Sequence, residues 1–129
     1  MPVLNLRLQP GRFSVCQLPA GAPLPAWAVS AAGFQSISRT DAELSIVCRE
    51  GVAPPEVKQA TGWRMFEVAG PLDFSLTGIM ASILDPLAKA GISIFAVSTY
   101  NTDYVLVQDA KAEAAVQALR DAGHDVKVP

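Results

Sequence analysis

Alternation and helical spacing divide the chain into short amphipathic pieces. Leu4, Leu6 and Leu8 alternate with Asn5 and Arg7, which predicts a half-buried strand over Val3–Leu8. Pro10-Gly11 is a turn and Phe13–Leu18 a second strand. Pro19, Gly21, Pro23, Pro25 and Gly33 leave room for only a turn or so of helix near Leu24–Val29. Phe34–Arg39 and Glu43–Cys48 read as a hairpin closed by Thr40-Asp41-Ala42. Pro54-Pro55 opens a predicted short helix, Glu56–Ala60, which Gly62 closes. Trp63–Val68 is a further strand.

From Gly70 to Gln108 the pattern becomes loop, helix, strand, tight turn, strand. Ile79, Ile83 and Leu87, with Met80 and Leu84, recur every four residues and make one apolar stripe. Ser75 or Thr77 is placed to cap this helix, and Gly91 to end it in a left-handed conformation. Pro86 falls inside the helix, where it removes a hydrogen bond at a cost of roughly 3 kcal/mol if the helix stays straight. A kink is predicted there, with the Ser82 carbonyl in need of another partner. Ile92–Ser98 and Tyr104–Gln108 are strands joined by the polar turn Tyr100-Asn101-Thr102-Asp103. Asp109 is placed to cap a helix over Lys111–Ala122, Gly123 stops it, and Val126 and Val128 mark a last strand. From Trp63 onward the order is therefore strand, helix, strand, strand, helix, strand, the split βαβ or ferredoxin-like arrangement.

The chain also repeats itself. Ile37–Val47 aligns without gaps on Val97–Val107 at an offset of 60, and Phe13–Leu18 on Trp63–Val68 at an offset of 50. The first half thus reads as the same unit with its first helix cut short. Counting strands suggests that Leu4–Leu8 fills a slot a later strand would normally take, so that the two units share or exchange an edge strand.

Composition narrows the function. Of 129 residues, 50% are hydrophobic and 17% charged, which predicts a folded chain. A net charge of −2 without a Lys/Arg cluster argues against a nucleic-acid surface. The apolar runs are too short for a membrane span, and Asn5 and Arg7 interrupt any signal-peptide layout, so a cytoplasmic protein is expected. Cys16 and Cys48, far apart in sequence, form no metal or redox motif; buried free thiols are expected ahead of a disulfide. No Cys–His or Ser–His pairing, metal-ligand cluster or phosphate-binding glycine loop is apparent, so neither catalytic nor metal-binding residues nor a cofactor are assigned. Trp27 and Trp63 read as packing residues. The single histidine, His124, reads as a surface residue after a helix end.

The segment LDFSLTGIMASILDPLAKAGISIFAVSTYNTDYVLV, with its βαββαβ pattern, Gly-containing loop before the first helix and AGISI at the second strand, resembles the ACT domain family. It is similar to the ACT-type units of aspartate-kinase-related proteins and of the cytosolic arginine sensors of the TOR pathway. LNLRLQPGRFSVCQL and FQSISRTDAELSIV follow the same tandem pattern more weakly. The resemblance implies an α+β fold of tandem ferredoxin-like ACT units, 1–61 degenerate with a shortened first helix and 62–129 complete. It implies a regulatory, non-enzymatic module that holds a small ligand, most often a free amino acid, at an interface between ACT units, within a homodimer, and passes that event to a protein partner.

Carried onto this chain, the family site falls at Leu72, Asp73, Phe74, Ser75, Thr77 and Gly78, at Gly91, Ile92, Ser93 and Ile94, and at Thr99, Tyr100 and Asp103. The chemistry suits an amino acid. Amides at a helix start attract a carboxylate, Gly78 allows close backbone approach, and an edge strand at Ser93–Ile94 offers donor and acceptor together. Asp73 and Asp103 can receive an ammonium or guanidinium, which tilts the choice toward a cationic amino acid. Each residue has a plainer use. Asp73 can cap a turn, Asp103 aligns with Glu43 as a hairpin acid, and Ser93 can simply face solvent. A ligand-free interaction module, or a small ferredoxin-like enzyme with Asp73 beside Tyr100 in acid–base work, remain the other readings.

Overall fold

A computed structural model describes residues 3–30, 32–70 and 77–129. The chain divides into a smaller unit, Gly11–Trp63, and a larger one, Met1–Pro10 with Arg64–Pro129. The N-terminal strand thus goes with the C-terminal unit and not with the first, as a 1–61 boundary would have it.

In the larger unit, β1 (Asn5–Leu8), the second half of β5 (Lys58–Val68), β6 (Phe95–Ser98), β7 (Asp103–Gln108) and β8 (Asp125–Lys127) form one sheet in the order β8-β1-β5-β7-β6. Helices α2 (Ile79–Lys89) and α3 (Ala112–Asp121) cover one face. Leu6 and Leu8 of β1, Phe66 and Val68 of β5, Val105 and Val107 of β7, Ile83 and Leu87 of α2, and Ala115 and Leu119 of α3 make the core. This is the predicted ferredoxin-like unit with one addition. β1 lies antiparallel to β5 and parallel to β8, so it occupies the place beside β5 where the last strand would pair. It is an interior strand, held by the buried Leu4, Leu6 and Leu8, each worth roughly 1.5–3 kcal/mol by burial.

The smaller unit contains β2 (Phe13–Leu18), α1 (Ala26–Ser30), β3 (Ser36–Arg39), β4 (Leu44–Arg49) and the first half of β5, in the order β3-β4-β2-β5. Cys16, Leu44, Ile46 and Cys48 pack with Ala28 of α1, and Trp27 joins them as a packing residue. The predicted helix Glu56–Ala60 does not form. Lys58 already belongs to β5, because Gln17, Cys16 and Val15 of β2 pair with Lys58, Gln59 and Ala60. Ladder pairing overrides a proline-started turn of weak helical propensity. Among its described residues this unit therefore has a one-turn first helix and no second one.

The two hairpins correspond, but one residue away from the offset of 60. Thr40 N–H donates to Glu43 O at 2.9 Å and Thr99 N–H to Thr102 O at 2.8 Å, an offset of 59 (99 − 40). Leu44, Ile46 and Cys48 then match Asp103, Val105 and Val107, which keeps the buried face in register; an offset of 60 would turn it over. Asp103 consequently corresponds to Leu44 and not to Glu43.

Both long helices of the larger unit end alike. Gly91 N–H donates to Ala88 O at 3.0 Å and Ile92 N–H to Leu87 O at 3.0 Å. Gly123 N–H donates to Arg120 O at 2.9 Å and His124 N–H to Leu119 O at 3.1 Å. Gly91 and Gly123 have φ of 74° and 97°, the left-handed residue this closure requires. In each, the next side chain turns inward, so Ile92 and His124 are both buried. His124 is only 6% exposed, which overturns its reading as a surface residue.

His124 also supplies the partner that Pro86 makes necessary. Its Nδ1 accepts from Leu4 N–H at 3.0 Å, which puts the ring proton on Nε2, and Nε2 donates to Ser82 O at 2.8 Å. Ser82 is the residue four before Pro86, whose missing N–H frees that carbonyl. The N-cap positions are Gly78 and Lys111, not Thr77 and Asp109. The α2 N-cap is Gly78, left-handed at φ 75°, with no side-chain cap bond, so Thr77 does not cap; Ser75 lies outside the described residues. Asp109 lies in a short 3-10 turn, Asp109–Lys111, and pairs with Arg64 instead of capping α3.

Cys16 and Cys48 are free, buried and hydrogen-bonded to each other. Burial first, then the Cys48 sulfur, pushes the Cys16 thiol from 9.0 up to about 12, and burial raises Cys48 as well.

His124→Ala strips partners from two buried main-chain groups and should lower stability by about 2–4 kcal/mol, a fall in Tm of roughly 10 °C. Adding Pro86→Ala returns a helical donor to Ser82 O, so the double variant should lose less than the single changes sum to, a coupling readable in a double-mutant cycle by urea unfolding. Below pH 9 the two thiols are protonated in folded and unfolded chains alike. Above it the unfolded chain releases protons that the folded one keeps, so unfolding free energy should decline up to about pH 12. Cys16→Ala should flatten that decline, measured by urea titration at several pH values.

Candidate functional site

The predicted residues lie at two ends of the larger unit. One end is where β5 finishes at Val68. There Thr99 opens the β6–β7 turn, accepting at Oγ1 from Thr102 N–H at 3.4 Å. The Thr102 hydroxyl crosses to donate to Val68 O at 2.6 Å. This buried threonine, which motif reasoning missed, ties the turn to the strand that leads into residues 70–78. A hydroxyl whose partner is a main-chain carbonyl 34 residues away leaves no local signature. Tyr100 stands 81% exposed on the same turn. Asp103 accepts from the Ser98 hydroxyl at 2.6 Å, across the hairpin. Thr77 and Gly78 precede α2, which carries the chain away from this end; Leu72, Asp73, Phe74 and Ser75 lie outside the described residues.

Gly91, Ile92, Ser93 and Ile94 lie at the other end. The 11 residues of α2 span about 16 Å at a rise of 1.5 Å per residue. Within one unit, therefore, Gly78 and Gly91 do not border a common crevice. Ile92 is buried, Ile94 packs against the core and Ser93 is exposed. All three precede β6, which starts at Phe95, so the predicted strand Ile92–Ser98 is three residues too long.

Between the two ends runs β6, which pairs with β7 alone among the described strands and so keeps one open edge. On the face away from the helices, Arg7 lies across from Glu67, with their charges 3.8 Å apart. Tyr104 hydrogen-bonds the same carboxylate; burial, then the Glu67 charge, raises its phenol above 10.0. No group of three or more His, Cys, Asp or Glu that could hold a metal occurs among the described residues. No described helix is long and apolar enough to cross a membrane.

Two cavities flank the helices, and neither is lined by the predicted residues. One, of about 440 Å³, lies beside His124, Ser82 and Pro86 and carries Asp85, Lys89 and Asp121; Asp85 and Lys89 pair at 3.0 Å. The other, of about 420 Å³, lies beside Arg64, Asp109, Glu113 and Arg120.

Comparison with known proteins identifies the unit. The family model described as the ACT domain matches residues 59–121, and a second model, for an N-terminal domain, matches residues 11–56. The crystal structure of a protein from Agrobacterium tumefaciens is 40% identical, covers 100% of this chain and 96% of its own, and superposes with a TM-score of 0.94. The ligand-free regulatory subunit of aspartate kinase from Thermus thermophilus shares the fold at 14% identity, covering 95% and 99% of the two chains, with a TM-score of 0.65. The cytosolic arginine sensor for mTORC1 subunit 1 of Homo sapiens is 41% identical over 59 residues, 45% of this chain. That match spans 18% of the sensor's own length. A ferredoxin-like unit with the ACT sequence pattern, matched over residues 59–121, has one assignment: the C-terminal unit of this chain is an ACT domain.

Proposed function

We infer that this chain is a regulatory module that binds a free amino acid between its C-terminal ACT unit and the same unit of a second copy in a homodimer. The open edge of β6 carries this reading, because predicted binding residues flank it on both sides. Gly91–Ile94 lead into the strand and Thr99–Asp103 lead out of it. A two-fold pairing of one β6 edge with another runs antiparallel. It therefore sets Ser93–Ile94 of one copy beside the turn and the helix start of the other. The two ends, about 16 Å apart within a unit by the length of α2, become neighbours across the dimer.

The likeness to an arginine sensor supports an amino acid as the ligand class. Asp103, although it accepts from Ser98, keeps acceptor capacity for a cationic side chain. The ligand event would reach a regulated protein partner in the cytoplasm.

A thermal-shift screen of the twenty amino acids, with nucleotides as controls, should find one or a few that stabilise. At one hundred times its dissociation constant a ligand adds about 2.7 kcal/mol, a rise in Tm of several degrees. Sedimentation should show a dimer, and Asp103→Asn should weaken a cationic amino acid by about tenfold. A flat response across the whole panel would leave the ligand-free interaction module as the better reading.

A further inference from the structure

We propose that the 420 Å³ cavity beneath α3 is a second ligand site, for a small zwitterion with an apolar body, separate from the one at the β6 edge. Its volume lies in the range of small-molecule pockets, roughly 300–1,000 Å³. Four charged side chains line it, two of each sign. Arg64 comes from β5, Asp109 from the 3-10 turn, and Glu113 and Arg120 from α3. Leu8 and Val116 provide apolar wall.

Arg64 is the anchor. Its Nη1 stands 3.5 Å from Asp109 Oδ1, at the limit of a hydrogen bond, and its Nη2 donates to Gln9 O at 3.3 Å. Its Nε is buried with no partner. Buried guanidinium donors are rarely left this loosely held, because each unmade bond is costly. A carboxylate accepting from the remaining N–H groups of Nη1 and Nη2 would tighten this loose hold. Arg120 can contribute in the same way, since one of its nitrogens donates to Val126 O at 2.7 Å and so fixes the plane of the rest. Asp109 and Glu113 would repel a bare anion. They fit a ligand that presents an ammonium next to its carboxylate, since the lining charges then balance one for one.

The test uses the full chain and three probes that share one apolar body: L-leucine, isocaproate with the carboxylate alone, and isopentylamine with the ammonium alone. Heteronuclear NMR follows the Arg64 and Arg120 Nε–H signals and the amides of Ala112–Val116. L-leucine should shift these signals in a saturable manner, and each half-probe should bind about tenfold more weakly. Arg120→Gln should weaken L-leucine by about tenfold, and Glu113→Gln should weaken L-leucine without weakening isocaproate. Both variants change exposed side chains, and their amide spectra report whether the fold is kept. Signals that stay still at saturating L-leucine, or that move equally in wild type and Arg120→Gln, would overturn the proposal. Shifts confined to residues 91–103 would place the leucine at the β6 edge and count against a second site, while leaving the amino-acid reading intact.

Discussion

The imidazole of His124 joins three pieces of the larger unit. It accepts from Leu4 N–H, donates to Ser82 O, and is held in place by the helix closure at Gly123. Each contact depends on the others. The Ser82 carbonyl is available only because Pro86 has no N–H to offer it. The Leu4 N–H is within reach only because β1 lies between β5 and β8. Both groups are shielded from water, where an unmet donor or acceptor is costly. A neutral histidine with one donor and one acceptor nitrogen is the side chain that satisfies the two together.

That constraint explains how this unit differs from a plain ferredoxin-like fold. A strand from the start of the chain sits in the interior of the sheet and pushes β8 outward. Its alternating leucines supply the burial energy, and His124 supplies the polar tie just before its first residue. Proline is tolerated inside α2 for the same reason, since its one orphaned carbonyl has a fixed partner. The smaller unit has no such device. Its shortened first helix and missing second helix leave a core built on Cys16, Leu44, Ile46 and Cys48.

The proposed binding chemistry rests on what the sheet leaves unpaired. Thr102 pins the β6–β7 turn to the end of β5, so the turn and the start of α2 belong to one end of the unit. Gly91–Ile94 belong to the other. In the proposed dimer, these two groups of residues at opposite ends of a helix are brought together through the open edge strand between them. The arginines beneath α3 are a different case, a loosely satisfied charge cluster around a cavity that lies wholly within the unit.

The element order of the larger unit was legible from spacing and turn residues: Ile79, Ile83 and Leu87 for α2, Lys111–Ala122 for α3, alternating leucines for β1, Gly91 and Gly123 at the helix ends. So was the need of the Ser82 carbonyl for another partner. The inward turn of His124 was misread as a surface position, although Ala-Gly-His at 122–124 matches Ala-Gly-Ile at 90–92. Local pattern misread Lys58–Ala60, where a β ladder with β2 outweighs helical propensity, and it aligned the hairpins one residue out of register. It placed Thr99 and Tyr100 at the β6–β7 turn and Gly91 at the end of α2, but put Ile92–Ile94 in a strand that starts only at Phe95, and it did not show that the two groups lie far apart. Periodicity and turn chemistry act over a few residues, so the sequence by itself determined which segments become helix, strand and turn. Which strand lies beside which, which carbonyl receives the histidine, and which charges share a cavity depend on groups tens of residues apart, and only the tertiary structure decided them.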